Sequence, residues 1–177
     1  MDAATRFTGK VWCVGDDVDT DLILPGSVIP LRRMERPAHM FEANRPGWAQ
    51  EVEPGDILVA GANFGMGSSR PASQVMKDLG LACLLAEGIN GLFFRNCVNF
   101  ALPALEIKGI SKAFTEGDTA EVDFAAGTVI NTSTGTELSG PSWPEFAMKI
   151  YRSGGIIASL EDADLLEPPE WTPLEAT

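Results

Sequence analysis

The fold is decided by the stretch Gly61-Ala-Asn-Phe-Gly-Met-Gly-Ser-Ser-Arg70. It lies between an apolar run at 56–60 and an amphipathic run at 72–79, so the pattern predicts a strand, a loop and a helix. At such a junction, backbone N–H groups and short side chains face the helix N-terminus, where an anion is stabilised. Arg70 adds a planar fork that suits a carboxylate or a phosphate. We therefore expect an anion-binding site in this loop.

Strands and helices alternate after the junction. The predicted helix has apolar residues at i, i+3, i+4 and i+7, namely Ala72, Val75, Met76 and Leu79. It ends at Gly80. Short apolar runs at 81–86 and 102–107 predict buried strands, with a helix over 89–100 between them. This alternation predicts an α/β core with parallel strands.

The segments on either side of this core have a different character. A first strand is predicted over 7–14, and antiparallel hairpins over 120–124, 128–131 and 136–138, where glycine-containing turns separate short strands. A short helix is expected around 39–43, and Ser142 and Glu145 have the spacing of a capping box at the start of a later helix. We expect one domain over 1–155 and a C-terminal extension over 156–177 that packs on the domain or on a partner.

Composition excludes several classes of protein. The 177 residues suffice for one domain with a substantial core. A formal net charge of −12 argues against non-specific binding to nucleic acid, which requires clustered lysine and arginine. The sequence lacks an apolar stretch of membrane-spanning length, and its first residues lack the apolar core of a signal peptide. We expect a soluble cytoplasmic protein that binds neither nucleic acid nor membrane.

The cysteine and histidine content argues against a metal centre within this chain. Cys13, Cys83 and Cys97 are widely spaced and lie in apolar runs, which predicts buried small hydrophobic residues. The sequence has no C-x-x-C motif, and His39 is its single histidine. We expect no zinc or iron–sulfur ligands here.

Two polar segments admit more than one interpretation. The turn from Gly15 to Asp21 holds four aspartates without the glycine and glutamate spacing of a calcium loop. These carboxylates either cap backbone N–H groups or line a site. The second interpretation arises because the apolar residues 22–25 are expected to hold the turn against the core. The pair Arg32-Arg33 either lies on the solvated surface or helps to bind an anion.

Familiar catalytic motifs do not fit the central loop. A phosphate-binding P-loop needs a lysine that is absent here, and a dinucleotide fingerprint needs glycine where Arg70 stands. A hydrolase elbow centred on Ser69 needs glycine in place of Pro71. What remains is an anion site in which a serine hydroxyl exchanges a proton, aided by loop N–H groups that stabilise an alkoxide.

Several spaced motifs resemble one known family. They are the stretches 19–25, 54–56, 61–70 and 86–96, followed by Asn99 and the pair Leu102-Pro103. Together they resemble the small subunits of isopropylmalate dehydratases, which are similar to the swivelling domain of aconitase. The resemblance covers nearly the whole chain to about Gly155.

This resemblance implies a fold, a partner and a reaction. The expected fold is an α/β swivelling β/β/α domain, in which parallel core strands are joined to antiparallel hairpins. It would close over a large subunit that carries a [4Fe–4S] cluster, as a heterodimer or heterotetramer. Together they would dehydrate and rehydrate a hydroxy-dicarboxylic acid, with 3-isopropylmalate and leucine biosynthesis as the main expectation.

The resemblance also assigns roles to residues. Ser68 would be the catalytic base, while Ser69 and Arg70 would hold the substrate. Thr20 and Asp21 would contribute to the site from the first turn. No metal ligand is assigned to this chain.

Two departures from the family pattern leave the substrate open. The sequence continues with Pro71-Ala72-Ser73 where the family usually has Glu-His-Ala, and with Gly26-Ser27 where many relatives have Tyr-Leu. The alternatives are therefore a paralogue for another C4–C7 diacid, such as citraconate or citramalate, homoaconitate or dimethylmalate, and a non-catalytic module that binds an anion or a partner.

Overall fold

The computed structural model describes residues 3–67 and 70–166. Seven strands form one mixed sheet in the order β4-β3-β2-β1-β5-β6-β7. In chain order they are β1 (Arg6–Cys13), β2 (Ile57–Ala60), β3 (Cys83–Ala86), β4 (Ala104–Glu106), β5 (Thr119–Asp123), β6 (Thr128–Asn131) and β7 (Thr136–Ser139).

Helices connect and cover these strands. They are α1 (Thr20–Ile23), α2 (Trp48–Glu51), α3 (Ala72–Leu79), α4 (Gly91–Asn99), α5 (Ile110–Ala113), α6 (Glu145–Ser153) and α7 (Ile156–Glu161), with short 3-10 turns at Gly26–Val28 and Arg36–His39. No helix in the described ranges is long and apolar enough to cross a membrane.

Strand β1 joins the parallel and antiparallel halves of the sheet. Its last residues pair in parallel with β2, with Val11 opposite Ile57. Its first residues pair antiparallel with β5, with Phe7 opposite Val122. Strands β2 and β3 are buried along their whole length, as expected for parallel strands that are covered on both faces.

A tryptophan covers the outer edge of β4. The indole Nε1 of Trp143 donates to the carbonyl of Ala104 at 2.6 Å, which pairs a backbone acceptor at the sheet edge. Gly140 passes so close to β4 that a Cβ atom there would lie 2.3 Å from the carbonyl oxygen of Glu106. The segment after β7 therefore closes the curled sheet over the core.

The α/β fold class is confirmed, and two predicted elements, Ala72–Leu79 and Thr128–Asn131, match to the residue. The other predicted strands, and the helix predicted over 89–100, lie within about two residues of their predicted ends. Cys83 and Cys97 are buried free thiols, as predicted, whereas Cys13 is half-buried.

Two local predictions are wrong. The capping box does not form, because helix α6 begins at Glu145 after Pro144, and Glu145 pairs instead with Arg152 at 2.8 Å. The helix expected over 39–43 is absent, since the 3-10 turn ends at His39 and Phe41 adopts a φ of +56° that no right-handed helix accepts.

The division of the chain at residue 155 stays a prediction. Helix α7 begins directly after it and packs against α6 and α4. Residues 167–177 of the expected extension lie outside the described residues.

Candidate functional site

The site is built by two loops that continue the pairing of β1 with β2 beyond the strand ends. One loop follows β1 over residues 14–19, and the other follows β2 over residues 61–67, shortly before Arg70. Four backbone N–H groups donate across the gap, from Gly61 to Gly15 at 3.1 Å, Asp17 to Ala62 at 2.9 Å, Gly65 to Val18 at 2.7 Å and Thr20 to Met66 at 2.9 Å. The two loops therefore form one rigid unit.

The aspartates of the first loop are divided between two tasks. Asp16 Oδ1 accepts from the N–H of Ala62 at 2.7 Å, and Asp19 Oδ1 accepts from Leu22 N–H at 2.8 Å to cap α1. Asp17 accepts from the amide of Asn63 at 2.9 Å. Asp16 and Asp19 therefore cap backbone N–H groups, which confirms the capping interpretation for these two, whereas Asp17 fixes the loop through a side-chain amide.

Asp21 differs from the other three because it faces Arg70. The two side chains form an ion pair between Asp21 Oδ1 and Arg70 Nη2, and the Asp21 side chain is 66% exposed. Arg70 is only 19% exposed, and its Nη1 donates to the carbonyl of Leu24 at 2.9 Å. The guanidinium is thus held by backbone on one side and by an exposed carboxylate on the other.

Two glycines leave room beside these groups. Gly67 has a φ of +107°, and a Cβ atom there would lie 3.1 Å from Thr20 Oγ1. A Cβ atom on Gly26 would lie 3.2 Å from Arg70 Nη1. Larger side chains at either position would crowd the polar groups that define the site.

A third loop, after β3, supports the second loop from behind. Phe64 N–H donates to Gly88 at 2.9 Å, and Asn90 N–H donates to Phe64 at 2.8 Å. The rings of Phe64 and Phe93 pack edge to face, with their centroids 5.3 Å apart. The loop that carries Arg70 is therefore anchored on both sides, by the loops after β1 and β3.

The structure brings three of the five predicted site residues together, namely Thr20, Asp21 and Arg70. Ser68 and Ser69 lie outside the described residues. Sequence reasoning missed Leu24 and Gly26, because a backbone carbonyl and an absent side chain give no compositional signal.

Comparisons with known proteins identify the family. A family model described as the aconitase C-terminal domain matches residues 32–109. The isopropylmalate/citramalate isomerase small subunit of Methanocaldococcus jannaschii is 41% identical over 155 residues, which cover 86% of this chain and 92% of the relative. The 3-isopropylmalate dehydratase small subunit of Lachnospira eligens is 38% identical over 164 residues, which cover 92% of this chain and 98% of the relative. This chain belongs to the family of 3-isopropylmalate dehydratase small subunits.

A solved structure agrees with that membership. The crystal structure of 3-isopropylmalate dehydratase (LeuD) from Methanocaldococcus jannaschii superposes with a TM-score of 0.85 at 28% identity, over 90% of this chain and 96% of that one. The swivelling-domain fold expected from the resemblance is therefore confirmed. As a dehydratase small subunit, the chain is one part of a hydro-lyase whose other part is a large subunit.

The cysteines of this small subunit do not fit a cluster. No group of three or more metal-ligating side chains occurs among residues 3–67 and 70–166. Burial raises the pKa of the Cys83 and Cys97 thiols, which disfavours the thiolate that binds iron. Burial also raises the pKa of Cys13, to about 11, with a further contribution from Glu116.

The two arginines beyond the site have different surroundings. Arg33 binds Asp78 of α3 through two hydrogen bonds of 2.7 Å, whereas Arg32 is exposed. Arg33 therefore fixes the segment after Leu24 to the helix that follows Arg70.

Proposed function

We propose that this chain is the small subunit of an aconitase-type hydro-lyase that interconverts 2-isopropylmalate and 3-isopropylmalate in leucine biosynthesis. The observation that carries the proposal is the convergence of Arg70 with Thr20 and Asp21, which the paired loops hold together. The names of the relatives, which are isopropylmalate dehydratase or isomerase small subunits, support the substrate class.

In this proposal, Arg70 binds a carboxylate of the substrate. Its Nη1 stays on the carbonyl of Leu24, and the substrate carboxylate takes the position of Asp21 beside Nη2. A guanidinium binds a carboxylate with two parallel hydrogen bonds when its fork is held in one orientation. The Leu24 carbonyl provides that orientation.

Dehydration requires a base and a path for the leaving hydroxyl group. We assign the base to Ser68, which takes a proton from the carbon next to the hydroxyl-bearing carbon, and we assign Ser69 to substrate binding. Thr20 is buried beside Gly67, where its hydroxyl faces the same loop. Rehydration returns the proton and the hydroxyl group, which together make one water, to exchanged positions.

The [4Fe–4S] cluster is assigned to the large subunit. Cys83 and Cys97 are buried free thiols with raised pKa values, and Cys13 packs partly buried against the core, so in this proposal the chain contributes substrate-binding and proton-transfer groups. The stoichiometry of the complex is a heterodimer or a heterotetramer.

The deciding experiment uses the chain assembled with its large subunit. Turnover of 3-isopropylmalate is measured anaerobically by the ultraviolet absorbance of the unsaturated diacid, for the wild type and for Ser68→Ala. We expect turnover that requires both subunits and is lost in Ser68→Ala. A matched control is Ser27→Ala, which removes an exposed hydroxyl beyond the first turn.

Two results would contradict the proposal. Full activity in Ser68→Ala would remove the assigned base. Binding of diacids by calorimetry without turnover in the complex would favour a non-catalytic module instead.

Citramalate is the second candidate substrate. The Methanocaldococcus jannaschii relative is named for both isopropylmalate and citramalate. The ratio of kcat/KM for the two diacids, measured with the same complex, ranks them.

A further inference from the structure

Arg36 binds two backbone carbonyls of the segment that runs beside Arg70. Its Nε donates to the carbonyl of Leu31 at 3.0 Å, and its Nη2 donates to the carbonyl of Ile29 at 2.9 Å. The Arg36 side chain is half-buried. A guanidinium holds its donors in one plane, so a single side chain can fix two carbonyls relative to each other. Arg36 therefore sets the conformation at the end of residues 25–31.

The two carbonyls depend on Arg36 because nearby backbone donors are used elsewhere. Pro30, which lies between them in the chain, has no N–H group. The Arg32 N–H donates to Glu35 Oε2 at 3.0 Å, and the Glu35 N–H donates to the carbonyl of Arg32 at 2.9 Å. Without Arg36, the end of residues 25–31 would have to take these hydrogen bonds from water instead.

Arg36 is itself fixed to the body of the domain. It begins the 3-10 turn Arg36–His39, which packs against helix α3. Shortly after this turn Phe41 is buried, and its N–H donates at 3.0 Å to the carbonyl of Ile23, the last residue of α1. Residues 25–31 are therefore held at one end by α1 and at the other end by Arg36.

The segment between these two anchors lies against the guanidinium of Arg70. Backbone hydrogen bonds fold it into successive tight turns, from Val28 N–H to Pro25 at 3.0 Å, Ile29 N–H to Gly26 at 3.2 Å and Leu31 N–H to Val28 at 3.1 Å. A Cβ atom on Gly26 would lie 3.2 Å from Nη1 and 3.5 Å from Nη2 of Arg70. A shift of Gly26 therefore changes the space in which the guanidinium is held.

We propose that Arg36 is a positioning residue for Arg70. It acts through residues 25–31, because it keeps Gly26 against the guanidinium while the carbonyl of Leu24 accepts from Nη1 at 2.9 Å. The inference rests on the proposed function in one respect, namely that Arg70 binds a carboxylate of the substrate. A misplaced guanidinium weakens the binding of the substrate and of the transition state to a similar extent, so the expected loss is in KM and not in kcat.

The kinetic test compares the wild type with Arg36→Met and Arg36→Lys, each assembled with the large subunit. Methionine has no donor for the two carbonyls, so KM for 3-isopropylmalate should rise about fivefold or more while kcat changes less than about twofold. Lysine keeps the charge but lacks the planar fork, so its KM should lie between those of the other two proteins. The matched control is Arg152→Met, which removes a guanidinium that pairs with Glu145 on the surface of α6 and should keep the wild-type KM and kcat.

Two further measurements use the full chain without substrate. In Arg36→Met, the amide hydrogens of Val28, Ile29 and Leu31 should exchange about fivefold or more faster, whereas those of β2 and β3 should exchange at the wild-type rate. Rotation about the Nε–Cζ bond of Arg70, followed by nitrogen-15 NMR, should be about twofold or more faster in this variant, because the guanidinium is held less tightly.

These outcomes distinguish a failure of the inference from a failure of the proposed function. If the wild-type complex does not turn over the diacid, the proposed function fails, and the exchange and rotation rates still decide whether Arg36 positions Arg70. An active wild type with an unchanged KM in Arg36→Met would overturn the inference. It would also be overturned by unchanged rotation of Arg70, or by faster exchange over the whole domain, which would show a loss of general stability instead.

Discussion

Gly65 lies directly against the ring of Phe93, so that a Cβ atom on Gly65 would lie 2.3 Å from Phe93 Cγ. The same glycine has a φ of +78°, which other residues rarely adopt. It also donates its N–H to the carbonyl of Val18 at 2.7 Å, between the two loops that form the site. Gly65 therefore connects the packing of the core to the paired loops that position Arg70.

We predict that Gly65→Ala destabilises the protein and disrupts the site. The methyl group must displace a buried ring that has little room to move, and the backbone is strained as well. We expect the free energy of unfolding to fall by about 2–4 kcal/mol, as measured by urea denaturation. Turnover in the assembled enzyme should fall with it.

The control for that prediction is Gly135→Ala. Gly135 has a nearly identical φ of +77°, but a Cβ atom there would meet nothing within 4 Å. It therefore reports the backbone strain alone, about 1 kcal/mol. Equal losses in both variants would show that the contact with Phe93 is unimportant.

Arg70→Lys should abolish most of the turnover without unfolding the domain. A lysine keeps the positive charge, but it cannot donate to the Leu24 carbonyl and to a carboxylate in the planar geometry of a guanidinium. We expect kcat/KM for the diacid to fall about 30- to 150-fold, which corresponds to about 2–3 kcal/mol. Steady-state kinetics of the assembled enzyme measure this loss.

Arg33→Lys is the matched control, since Arg33 makes a bidentate pair with Asp78 on the surface. A partly exposed pair of this kind contributes little, so kcat/KM should change less than about threefold. If the two lysine variants lose activity equally, Arg70 has no special role in binding the substrate.

The local elements could be predicted from the sequence because their signals are local. Helix Ala72–Leu79 has apolar spacing along one face and a glycine stop, and both are visible within nine residues. The capping box failed for a local reason as well, because Pro144 is the N-cap residue and Ser142 lies two positions too early to cap the helix. Short motifs predict elements, but neighbouring prolines decide where those elements begin.

The arrangement of the sheet could not be predicted in the same way. Strand β1 pairs in parallel through Val11 and antiparallel through Phe7, and one short apolar strand carries no signal for two partners. The contact of Arg70 with the carbonyl of Leu24 spans 46 positions and involves a backbone atom. Such contacts follow from the three-dimensional pairing of the loops, which composition and periodicity do not encode.

Gly26→Ala should change substrate binding while leaving stability nearly unchanged. The added methyl group would lie 3.2 Å from Arg70 Nη1, so the guanidinium must shift by a few tenths of an ångström. Gly26 is exposed, so we expect the free energy of unfolding to change by less than about 0.5 kcal/mol. We expect KM to rise several-fold with little change in kcat, as measured with 3-isopropylmalate and citramalate. An unchanged KM for both diacids would place the substrate away from this side of Arg70.

The pairing of Glu116 with Arg45 should make stability depend on pH in the acidic range. Two hydrogen bonds of 2.6 Å from Arg45 lower the pKa of Glu116 below its ordinary value of 4.5, although burial opposes the shift. Because the folded pKa is the lower one, this stabilisation is fully present above pH 4.5 and is lost as the pH falls through the folded value. Urea denaturation of wild type and Glu116→Gln between about pH 3 and pH 7 should therefore show the largest difference in the free energy of unfolding at the upper end and convergence at the lower end.

Glu137→Gln, on the exposed strand β7, is the control for the Glu116 prediction and should follow the wild type throughout. A Glu116→Gln curve that stays parallel to the wild type at every pH would show that the ion pair does not couple folding to protonation.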